Sequence, residues 1–92
     1  MRWTIRQGGQ LEWRSWGDDE YLVFDAASGD THLVNLVTAE LLRLLEASAL
    51  DEQELCVMLA ESIQVEDDAR LRSSIADLLG YLDRVGLVEP VR

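Results

Sequence analysis

The chain contains no lysine. All eight of its basic residues are arginine, and they stand against eighteen aspartates and glutamates, for a formal net charge of −10. A phosphate backbone attracts proteins by counterion release, and this balance repels it, which sets nucleic acid aside as a partner. Acidity also serves solubility, so it names no partner by itself. Cysteine is represented once, by Cys56, so no disulfide can form within the chain and a reducing cytoplasm is the expected compartment. With His32 the lone histidine, a zinc site would have to be completed by carboxylates, and they stand at no recognisable spacing. No apolar run approaches the roughly 18 residues of a membrane span. The opening Met1-Arg2-Trp3-Thr4-Ile5-Arg6 meets Gly8 and Gly9 before an apolar stretch builds, unlike a secretory signal.

What is present is a hydrophobic fraction of 48% in 92 residues, enough for the core of one domain spanning residues 1–92. A chain of this size buries only about two thirds of its unfolded surface, so its stability is modest.

The first third alternates with period two. Leu11 and Trp13 interleave with Glu12 and Arg14, and Trp3 and Ile5 with Arg2, Thr4 and Arg6, which predicts strands at both places. Glu20 to Asp25 and Thr31 to Asn35 read as the arms of a hairpin over residues 20–35, turned at Gly29, which supplies positive φ. Asn35 is suited to cap a first helix over residues 36–46, with Val37, Leu41, Leu44 and Leu45 at helical spacing. Asp51-Glu52-Gln53-Glu54 reads as a capping box opening a second helix, with Leu55, Met58 and Leu59 on one side. Asp67 and Asp68 favour the start of a third, whose stripe is Leu71, Ile75, Leu78, Leu82 and Val85 and whose end is Gly86. Leu87-Val88 then reads as a short apolar tail closed by Glu89-Pro90. The fold class predicted is α+β, a three-stranded antiparallel sheet followed by three helices, in the manner of a winged helix-turn-helix.

No catalytic constellation can be assembled, so an enzyme is not expected, and neither is a cofactor or a metal. His32 reads as a strand histidine packed or hydrogen-bonded locally, and Cys56 as a small buried hydrophobe with no activating cation. The pairs Asp18-Asp19 and Asp67-Asp68 fall at a turn and a helix start, where aspartate caps backbone. More telling is apolar surface beyond what the core requires. Leu79 stands on the face of the third helix formed with Arg72, Ala76 and Asp83, and the strand 31–35 carries Leu33 on one face, His32 and Val34 on the other. Two readings follow from the residues alone. Either this strand is a sheet edge that makes, with the helix face, a groove for an extended peptide, or the strand is wholly buried and the core stripe is wider.

Longer runs of residues bear on this choice. Ser28-Gly29-Asp30-Thr31-His32-Leu33-Val34-Asn35, Ala39-Glu40-Leu41-Leu42, Glu54-Leu55, and Leu78-Leu79-Gly80-Tyr81-Leu82-Asp83-Arg84-Val85-Gly86-Leu87-Val88 together resemble the PqqD family of peptide chaperones. Trp13-Arg14-Ser15-Trp16-Gly17-Asp18-Asp19 with Ser28-Gly29-Asp30-Thr31-His32 most resembles the branch associated with an HPr-kinase-related gene system. The resemblance covers residues 11–88, and Ser-Gly-Asp-Thr-His is its most specific part. It departs from better-studied members at Val34-Asn35, where they have Leu-Asn, and at Ser74-Ile75, where they have Asp-Val. The resemblance implies a RiPP recognition element that captures the leader of a ribosomally made precursor peptide and presents it to a modifying enzyme encoded nearby. The leader would add as a strand beside Thr31, His32, Leu33, Val34 and Asn35 and pack on Arg72, Ile75, Ala76, Leu79 and Asp83. The competing expectations are an accessory subunit that stabilises a partner enzyme, and a winged-helix DNA-binding regulator. The regulator is disfavoured because its recognition helix would offer Arg70, Arg72 and Arg84 against four aspartates. An exposed strand edge would also serve a homodimer; no membrane partner is expected.

Overall fold

Period-two alternation dictates strands here, but the strands divide between two sheets. The computed structural model describes residues 1–6, 11–15, 17, 19–26 and 29–91. Among these, β1 (Arg2–Ile5), β2 (Leu11–Ser15), β3 (Glu20–Asp25) and β4 (Asp30–Asn35) precede α1 (Leu36–Ala47). Then come a two-residue β5 (Leu50–Asp51), α2 (Glu52–Ile63), α3 (Ala69–Arg84) and a final β6 (Val88–Val91). Both sheets are antiparallel and three-stranded, in the orders β5-β1-β6 and β2-β3-β4. The fold is therefore α+β as expected, with a correction. One sheet followed by three helices does not describe it, because β5 falls between helices and β6 follows the last one.

The run read as an apolar tail is thus a strand. Ile5 lies opposite Val88 and Trp3 opposite both Pro90 and Leu50, so the two ends of the chain close on each other. Alternation marks β1 as a strand but cannot name its partner, and Pro90 argues against a strand unless that strand is an edge. On β6 it is one. The entry to β6 is built at the end of α3, where Gly86 (φ +83°) donates to Asp83 and Leu87 donates to Leu82, the paired bonds of a Schellman stop. A Cβ at Gly86 would also come within 2.7 Å of the Arg6 guanidinium.

Local signals set the other helix boundaries. Asn35 Oδ1 accepts from the Thr38 N–H at 2.9 Å, capping α1. In the capping box Asp51 accepts from Glu54 N–H at 2.7 Å, and Glu54 Oε1 accepts from Asp51 N–H at 3.1 Å. Asp68 caps α3 by accepting from Leu71 N–H, and Asp67 holds Arg72 at 3.1 Å. The hairpin matches its expected span, with Gly29 at φ +79°. Its register places Leu11, Trp13, Tyr21, Val23, His32 and Val34 on one face and Glu12, Arg14, Leu22, Phe24, Thr31 and Leu33 on the other.

The first of those faces turns toward the helices. Val23 is fully buried, and Leu11, Trp13 and Val34 pack against a core made by Leu41, Leu42, Leu45, Leu55, Leu59, Ile75, Leu79 and Leu82, joined by Leu87 and Val88 from the chain end. Two expected core positions are revised. On α2 the buried residues are Leu55, Cys56, Leu59 and Ala60, and Met58 is exposed. On α3 they are Leu71, Ile75, Leu79 and Leu82, with Leu78 only half-buried. No helix among the described residues is long and apolar enough to cross a membrane.

Candidate functional site

Among the described residues strand β4 pairs with β3 alone, so its other side is an open edge there. A strand edge exposes backbone donors and acceptors, and proteins usually blunt it with proline or charge. β4 opens with the charged Asp30, and from Thr31 to Asn35 there is neither. Thr31 and Leu33 point to the outer face and are exposed, Leu33 by 55%, whereas His32 and Val34 point inward and are half-buried. The Nε2 atom of His32 is enclosed and has no hydrogen-bond partner among the described residues.

The strand runs directly into a cleft. Asn35, its last residue, shares a depression of about 430 Å³ with Val37 of α1, Ile63 and Val65 at the end of α2, and Leu71, Ser74 and Leu78 of α3. Val37, Ile63, Val65, Leu71 and Leu78 give it an aliphatic part, and Asn35, Glu66, Asp68, Arg70 and Ser74 a polar one. Local chain geometry explains the opening. Gln64 ends α2 in the left-handed conformation (φ 58°), which turns Val65 out of the helix path and leaves it 48% exposed.

The residues expected on the helix side of the groove fall elsewhere. Ile75 and Leu79 are in the core, at 0% and 1% exposure. Arg72, Ala76 and Asp83 are exposed, but at about 100° per residue they lie on the flank of α3 roughly opposite the one that Arg70, Ser74 and Leu78 present to the cleft. Arg72 is engaged there with Asp67, which raises its pKa through their hydrogen bond and charge attraction. The reason lies in the adjacent pair Leu78-Leu79. Stripes 71-75-78-82 and 71-75-79-82 both have helical spacing, and choosing the first turns Leu79 outward and puts the groove on the flank away from the cleft. Leu78, a fifth large aliphatic position on α3 beside the four buried ones, was the available signal; Val37, Ile63, Val65 and Ser74 had none that separated them from ordinary core and surface.

The candidates for chemistry do not converge. Cys56 is buried, and desolvation pushes its thiol up in pKa, with the Asp67 carboxylate adding to the effect, so it is a poor nucleophile. Among the described residues no three His, Cys, Asp or Glu side chains are grouped to hold a metal ion. Of the acidic pairs, Asp67 and Asp68 do serve the start of α3, whereas Asp18 lies outside the described residues, as do Gly8, Gly9, Trp16 and Ser28. What the geometry offers is a binding surface of an uncovered strand edge beside a partly aliphatic cleft. No family model matches the chain, and no curated protein and no solved structure matches it.

Proposed function

We propose that this chain is a cytoplasmic, non-catalytic peptide chaperone of the PqqD type, with a winged-helix-like arrangement of β4 and α3. It binds the leader of a ribosomally made precursor peptide by strand addition along β4 and presents it to a modifying enzyme. The observation that carries this reading is the continuity of the β4 edge, uncharged and without proline from Thr31 onward, with the partly aliphatic cleft through Asn35. Main-chain hydrogen bonds along an edge supply affinity without regard to sequence, and alternate side chains of the added strand supply specificity. On the inner side they would run past His32 and Val34 toward Val37, Ser74 and Leu78; on the outer side they would lie beside Thr31 and Leu33. The helix surface used is therefore Arg70, Ser74 and Leu78 in place of the Leu79 flank.

The test is an amide NMR titration of the labelled protein with precursor peptides encoded beside its gene. Shifts at residues 31–35 together with Val65, Ser74 and Leu78, and new protection of β4 amides from hydrogen exchange, are the expected result. A flat response from a folded sample to every such peptide overturns the proposal and favours an accessory subunit of an enzyme.

A further inference from the structure

Helix α2 separates two surfaces. Ile63, at its end, faces the cleft beside β4. On the opposite side of the helix, Val57 and Met58 are 44% and 41% exposed and line a shallow depression with Gln53. A second depression, lined by Met1 and Trp3, adjoins the first through the shared residues Asp51 and Gln53, so the two form one trough. The chain has two methionines, and both are on this trough; Met1 is 81% exposed. Exposed methionine is informative where leucine fills the core. Its unbranched thioether side chain adapts to different partners and is over-used at binding surfaces.

The rim decides the occupant. Asp51, Glu52 and Glu54 border the trough, and Glu61 follows Val57 by one helical turn on the same face. The cations at this end among the described residues are the Met1 α-ammonium and Arg2, and Arg2 is already engaged, 3.1 Å from Glu54 Oε1 and donating to the Ala49 carbonyl at 3.0 Å. An acidic rim on a chain of net charge −10 repels phosphate, which disfavours both nucleic acid and anionic membrane. Its apolar floor selects for aliphatic or aromatic side chains. We infer that this trough is a docking surface for a basic amphipathic segment of a partner protein, the segment's apolar face resting on Val57, Met58 and Met1 and its cations meeting the rim. The inference does not depend on the reading of the β4 edge. Because the two surfaces lie on opposite sides of α2, a peptide on one leaves the other open.

The methionines supply their own probe. The full chain, labelled with 13C at the methionine methyls, gives one signal from each side of the trough. It is titrated with a synthetic peptide of leucine and lysine at helical spacing, and in parallel with the same peptide bearing glutamate for lysine. Expected are shifts of both methyl signals with the lysine peptide alone, weakening as salt is raised. The folded Val57→Lys variant should bind about tenfold more weakly, a change of about 1.4 kcal/mol, whereas Asp77→Asn with Asp83→Asn on α3 should change nothing. Methyl signals that stay put, equal binding of the glutamate peptide, or indifference to Val57→Lys would each overturn the assignment.

Discussion

The indole Nε1–H of Trp13 donates to Glu46 Oε1 at 2.9 Å, fastening strand β2 to the last turn of helix α1. The Arg43 guanidinium lies over the same indole, 5.0 Å from its centroid, and 5.3 Å from the ring of Tyr21. A cation over an aromatic face contributes about 0.5–1 kcal/mol at exposed sites. This contact seats the hairpin sheet on the helices and so fixes where the β4 edge falls. Glu46→Ala leaves the indole in place and removes its hydrogen-bond acceptor; it should cost about 1 kcal/mol in urea denaturation. A variant as stable as the parent would show that the bond contributes nothing net.

Leu78 and Leu79 are neighbours with different surroundings. Leu79→Ala should destabilise the protein by about 2–5 kcal/mol, the range for a buried leucine. Leu78→Ala, at a half-buried position, should cost less than half of that. Equal losses would mean that the core stripe on α3 is not 71-75-79-82.

Ser74→Arg places a long, charged side chain in the cleft from an exposed helical position. Circular dichroism should be unchanged, and affinity for a leader peptide should fall by about tenfold or more, or about 1.4 kcal/mol. Unimpaired binding by this variant would remove the cleft from the proposed site.

Gln64 holds a left-handed conformation that costs a non-glycine residue about 1–2 kcal/mol. Gln64→Gly should therefore raise the thermal midpoint, although part of the gain is offset by the greater freedom of glycine in the unfolded chain. A lower midpoint would indicate that the side chain itself stabilises the turn.

Burial, and next the Asp67 carboxylate, raise the Cys56 thiol above its ordinary value of 9.0. The native state therefore holds this proton more tightly than the unfolded chain does. The resulting stability is fully present below the unfolded value and is lost as pH rises through the folded one. Above about pH 9 the parent should lose stability more steeply than Cys56→Ala, and iodoacetamide should modify the native thiol slowly at pH 8. Parallel pH profiles for the two proteins would refute this.

Much of the local structure was written in single positions. Asn35, Asp51 with Glu54, Asp68 and Gly86 each act on backbone within a few residues, so their roles follow from sequence spacing, and all four are observed. The hairpin was legible for the same reason. Its register follows from its turn and from alternation, and β4 as the place to look for a site came with it.

Long-range choices were not legible. That β1 leaves the hairpin sheet to pair with β6 depends on residues more than eighty positions away, and nothing in Trp3 or Ile5 names Val88 as a partner. Which of Leu78 and Leu79 faces the core depends on how α3 is rotated against α2 and β6, since both spacings satisfy a helix. The cleft inherits that rotation, and the exposure of Met58 likewise follows from which face of α2 the core covers. The sequence by itself determined the charge, the caps, the turns and the positions of most elements, because those rest on composition and on neighbours. Tertiary structure alone decided the second sheet, the helix faces and the position of the cleft, because packing selects among periodic patterns that are equal locally.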